Sequence, residues 1–97
     1  MKIICCGYDY RHPKGFQIDR PTGSGDYVLL VLRSSASFVL QKETVYSNGN
    51  AVILFNKGTP QLFGSYDGEF VNDWVHFECD EDDIDFIKSQ IIGAFLC

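Results

Sequence analysis

The sequence predicts an all-β domain closed by one C-terminal helix, and three observations carry that prediction. Short runs of β-branched, aliphatic and aromatic residues recur from residue 16 to residue 78, each bounded by Gly, Pro, Asn, Asp or Ser. Two runs, Tyr27-Val-Leu-Leu-Val-Leu-Arg33 and Ala51-Val-Ile-Leu-Phe55, are apolar on both faces, as strands in the middle of a sheet or barrel wall are. After residue 80 the spacing of apolar residues changes to that of a helix. Seven or eight short strands with close turn signals indicate a sandwich or barrel rather than an α/β fold.

The elements follow in order. Residues 1–15 hold Cys5, Cys6, Tyr8, Tyr10, His12 and Pro13 without helical or alternating period, and read as an N-terminal arm packed on the body. Phe16-Gln-Ile-Asp-Arg20 alternates apolar and polar and is stopped by Pro21. Thr22-Gly-Ser-Gly-Asp26 is a turn, and residues 27–33 are a buried strand. Strands are expected at 38–41 and 44–46, then a turn at Ser47-Asn-Gly-Asn50, where Gly49 suits positive φ. Residues 51–55 form another buried strand, Asn56-Lys-Gly-Thr-Pro60 turns the chain, and 61–63 run extended. Phe70-Val-Asn-Asp-Trp-Val-His-Phe77 is the last barrel strand. Asp80-Glu-Asp-Asp83 supplies an N-cap and an acidic first turn at the positive end of a helix dipole. Ile84, Ile87, Ile91 and Ile92 recur at helical spacing, Phe95 lies beyond, and Gly93 can end the helix, which is expected over residues 82–93. The acidic run lacks the alternating D-x-D-x-D-G pattern of a calcium loop. The apolar helix face is expected on the outside of the barrel. One domain therefore spans 1–97, as arm (1–15), barrel (16–78) and helix.

Composition narrows the function. The 97 residues have 45% apolar and 22% charged content, as soluble globular domains do. A net charge of −5 argues against this chain gripping a nucleic-acid backbone, which needs a basic patch. No apolar run can cross a bilayer, and the first residues do not form a signal peptide, so a cytoplasmic location without a membrane partner is expected. The cysteines Cys5, Cys6, Cys79 and Cys97 show no C-x-x-C spacing and are expected as free thiols; Cys5, Cys6 and Cys79 also lack the spaced pairs of a zinc site.

The most informative stretch is residues 70–77. As a strand it places Phe70, Asn72, Trp74 and His76 on one face, and Val71, Asp73, Val75 and Phe77 on the other. An indole, an imidazole and a carboxamide together are the mixture that lines a pocket for a polar small molecule. On spacing alone they fit at least as well a buried strand whose Trp and His find local partners. Support for catalysis is thin: Cys79 lies three positions beyond His76, on the opposite strand face, and Gly23-Ser-Gly25 is not followed by a helix.

The Gly49-Asn50 turn, the buried strand, Lys57-Gly-Thr-Pro60 and Gln61 resemble the second motif of cupin barrels. Metal-binding cupins carry a histidine where Gln61 stands, and a neutral amide is a poor transition-metal ligand, so no metal or other cofactor is expected. Ile18-Asp-Arg-Pro-Thr-Gly23, the segment 49–60 and Asn72-Asp-Trp-Val-His-Phe77 resemble, in order and spacing, the N-terminal ligand-sensing domain of AraC-family transcription regulators; the similarity covers residues 16–85. That resemblance implies a cupin-like double-stranded β-helix, or jelly-roll barrel, that binds a sugar or similar polar effector without catalysis. It also implies a homodimer, and DNA contact only through a C-terminal helix-turn-helix half that these 97 residues do not contain. Arg20 matches the family's sugar-contacting arginine and Trp74 its stacking tryptophan. Asn72, Phe63 and Gln61 stand where the sugar-binding pattern has histidine, tyrosine and histidine, so the ligand's hydrogen bonding should differ from arabinose. With His76 added from the same strand face as Trp74, the expected ligand set is Arg20, Gln61, Phe63, Asn72, Trp74 and His76, with residues 1–15 ordering over the mouth. A stand-alone cupin enzyme and a pure dimerisation module are the competing expectations.

Overall fold

Turn chemistry sets the strand boundaries. Gly49 and Asn50 take positive φ before one strand, Gly58 before another, and Gly68 before the strand that carries Trp74. The computed structural model describes residues 1–91 and 94–96; what was expected of Ile92, Gly93 and Cys97 lies outside the described residues. In chain order the elements are β1 (Lys2–His12), β2 (Gln17–Arg20), β3 (Tyr27–Leu32), β4 (Ala36–Leu40), β5 (Glu43–Ser47), β6 (Ala51–Phe55), β7 (Gln61–Ser65), β8 (Phe70–Glu78), α1 (Glu81–Gln90) and β9 (Phe95–Leu96). They make two sheets, a five-stranded one in the order β1-β8-β3-β6-β9 and a four-stranded one in the order β2-β7-β4-β5. The pairings are antiparallel except that of β9 with β6. The described residues are mostly β, with one short helix.

The core lies between the sheets. Val28, Leu30 and Leu32 point inward from β3 to meet Ile53 and Phe55 of β6, Phe38 of β4, Phe63 of β7 and Phe70 of β8. The central strands are apolar on both faces because the five-stranded sheet is covered twice. On its outer face Leu54, Phe77 and Ile84 of α1 are buried together, with Leu29, Val75, Ile87 and Ile91 packed around them. Helix α1 starts at Glu81 because the Asp80 side chain caps it, accepting from the Asp83 N–H at 2.8 Å. It ends at Gln90, where Ile91 turns extended, three residues before the expected stop at 93.

The N-terminal arm needs correcting. Residues 2–12 are a strand, paired with β8 along its length at the edge of the five-stranded sheet. Two bulges hide its period. Ile4 is extra between the Ile3↔Phe77 and Cys5↔His76 pairs, and Tyr8 and Asp9 together face Asp73. Asp9 adopts φ 50, and its N–H donates to Asp73 Oδ1 at 2.6 Å. Each bulge shifts the alternation, so Cys5, Gly7, Tyr10 and His12 pair with the inward residues His76, Trp74, Asn72 and Phe70. No fixed period of two survives in the sequence.

Candidate functional site

Phenylalanines fill the middle of the sandwich, but towards β1 and β2 the sheets part around a cavity of about 470 Å³, a size that suits a small ligand. Its walls come from both sheets: β1, β3 and β8 on one side, Phe16, β2 and β7 on the other. Arg20, Phe63, Asn72, Trp74 and His76 all line it, as do Cys5, Tyr10, His12, Phe16 and Ile18. Gln61 is 0% exposed and is not among the lining residues. Alternation accounts for the set: Ile18 and Arg20 share one face of β2, and Asn72, Trp74 and His76 share one face of β8.

The aromatic wall is built by contact. The His12 ring stacks on Phe16 with centroids 3.7 Å apart and planes within 7°. Trp74 meets His76 edge-on at 5.6 Å, with Tyr10 at 6.3 Å on another side. Beneath the indole lies the backbone of Gly7, where a Cβ would come within 2.6 Å of Trp74 Cε2. The side chain that residue 7 lacks is what leaves room for the tryptophan.

A chain of hydrogen bonds runs behind this wall. Arg20 Nη1 donates to Gln61 Oε1 at 2.9 Å, and Gln61 Nε2 donates to Ser24 Oγ at 3.1 Å. Ser24 Oγ donates to Asp26 Oδ1 at 2.7 Å, and His76 Nδ1 lies 2.9 Å from the same oxygen. Burial pushes the Asp26 carboxyl up, but hydrogen bonds from Ser24 and His76 and the charge of His76 outweigh it, leaving the group below its ordinary value. Ionised Asp26 can only accept, so His76 Nδ1 carries the proton and Nε2 is the ring nitrogen left for a ligand. Gln61 is therefore occupied in aiming Arg20. Asn72 lines the cavity but is only 5% exposed, and its Oδ1 is itself buried, without a hydrogen-bond partner among the described residues.

Ser24 donates to Asp26 and not to the imidazole, so the order is not that of a nucleophile activated by a histidine. Cys79 packs beside the outer cluster of Leu54, Phe77 and Ile84. Burial, then the Asp83 and Asp80 charges, push its thiol up and keep it protonated. Among the described residues no three His, Cys, Asp or Glu side chains converge as a metal-holding group.

Sequence reasoning missed Cys5, Tyr10, His12 and Asp26. The β1 residues are masked by the bulges, and Asp26 stands in a turn whose partner is fifty residues away at His76. Phe16 and Ile18 were legible as the apolar positions of an alternating strand, though not as pocket wall. No family model and no curated protein matches the sequence.

Proposed function

We propose that this chain is an effector-binding domain of the AraC-type regulator kind, taking a polar cyclic small molecule between the sheets of a cupin-like jelly roll without transforming it. The observation that carries this reading is convergence: Arg20, Phe63, Asn72 and Trp74, four of the five positions matched by family resemblance, lie around one cavity with His76, while the fifth, Gln61, holds Arg20 from behind. Trp74 supplies a stacking surface, Arg20 a fixed fork of donors, Asn72 part of the polar wall and His76 a ring nitrogen. In this reading the bound state reaches DNA through a homodimer and a helix-turn-helix half outside these residues. Because β1 is already paired with β8, the ligand acts by tightening its inner face, at Tyr10 and His12, and not by recruiting a loose arm.

The test is a thermal-shift screen of sugars, sugar acids and related polar metabolites, repeated on Trp74→Ala. An effector at 100 times its Kd stabilises the wild type by about 2.7 kcal/mol, and the variant should lose that response. A stabilising compound that acts equally on Trp74→Ala binds elsewhere and sinks the reading.

A further inference from the structure

The charge of the cavity is opposite to that of the protein. The chain carries 13 Asp and Glu side chains against 8 Lys and Arg, yet among the described residues no Asp or Glu lines the cavity, while Arg20 does. Among the described residues Arg20 makes no ion pair; its one hydrogen-bond partner is the neutral Gln61, held in orientation by Ser24. Asp26 stands behind His76, its Oδ1 already accepting from His76 and Ser24, and does not line the cavity. A half-buried guanidinium beside aromatic rings, with most of its N–H groups unused, favours an anion, and its planar fork fits a carboxylate. Neutral polyols need acceptors for their hydroxyl protons. Among the described residues the lining offers His76 Nε2 but no carboxylate, and Asn72 Oδ1 is itself buried.

We propose that the ligand of this cavity is a hydroxylated cyclic carboxylic acid, a sugar acid or a hydroxyaromatic acid. Its carboxylate sits on the free edge of Arg20, its ring on the wall formed by Trp74 and Tyr10, and a hydroxyl hydrogen-bonds His76 Nε2. This rests on the cavity being the effector site and adds the charge of the effector. A phosphate is disfavoured, because one arginine edge without converging backbone N–H groups leaves most of a dianion's oxygens unpaired.

Matched pairs that differ in the charged group test it: galacturonate against galactose, and para-hydroxybenzoate against para-hydroxybenzamide, titrated calorimetrically into the full chain. In at least one pair the acid should bind about tenfold or more tightly than its neutral partner, the scale of a charge-assisted hydrogen bond. That preference should shrink to less than about threefold in Arg20→Gln and largely survive in Arg20→Lys, and it should weaken as salt is raised. The wild-type comparison stands even if Arg20→Gln folds poorly. Neutral members that bind as well as the acids, with Trp74-dependent affinity, overturn the anion assignment and leave the effector site intact. An acid preference that survives Arg20→Gln overturns it as well. If no member of either pair binds, both the assignment and the cavity reading fall.

Discussion

Trp74 is half-buried, with one face towards the cavity and the backbone of Gly7 beneath it. A side chain so placed lacks packing partners on one side. Trp74→Ala should therefore cost less than the roughly 3–5 kcal/mol of a fully buried aromatic, while removing a stacking surface worth on the order of 0.5–2 kcal/mol to a ring ligand. Chemical denaturation and calorimetry on the same preparation separate the two effects; an unfolded variant would mean the indole is core. Asp26 makes a different prediction. Its carboxyl is held below its ordinary value, so its contribution to stability is complete above the unfolded value of about 3.9 and is lost as pH falls through the lower folded value. Asp26→Asn should be less stable than wild type at pH 7, and its stability should fall less steeply on acidification, as urea titrations between pH 7 and pH 3 would reveal. Parallel pH curves for the two proteins would show that the carboxyl does not carry this dependence.

Among the elements, β1 and α1 invite the sharpest tests. Cys5 and Cys6 are adjacent and both exposed, but Cys5 lines the cavity opposite His76 while Cys6 pairs with Val75 on the outer face. A bound effector should slow iodoacetamide labelling of Cys5 and leave Cys6 unaffected, as read by peptide mass spectrometry. Equal protection of both would mean that β1 is not the wall described. Ile84 is 4% exposed against Leu54 and Phe77, so Ile84→Ala should destabilise by about 2–5 kcal/mol in chemical denaturation. The elements differ in how far they can be read in advance. Strands β3, β6 and β8 are legible because their patterns are uninterrupted, and α1 because Asp80 and the spacing of its isoleucines agree. Strand β1 is not, since a one-residue bulge at Ile4 and another at Tyr8 and Asp9 reverse its parity twice in eleven residues. For the same reason Arg20, Asn72, Trp74 and His76 could be named from the sequence, while Tyr10, His12 and Cys5 could not. Gln61 could be named, but not assigned to holding Arg20, because that role depends on a partner in a distant turn.

At the scale of the whole molecule, the sandwich is filled by phenylalanines in its middle and open towards β1 and β2, and its only described helix lies outside. Far-ultraviolet circular dichroism should accordingly show a β-dominated spectrum with a small helical component, and a helix-dominated one would contradict the architecture. No described helix is long and apolar enough to cross a membrane. Strand β1 has a further consequence at this scale. It is an outermost strand with Ile3, Ile4, Tyr8 and Tyr10 exposed, the composition of an edge on which a foreign chain could nucleate cross-β stacking. The two bulges break the flat ladder that such templating needs, and Lys2, Asp9 and Arg11 place charges along it. A chain with Ile4 and Asp9 deleted would regain a straight, regularly pleated rim, and with it the propensity to form fibrils.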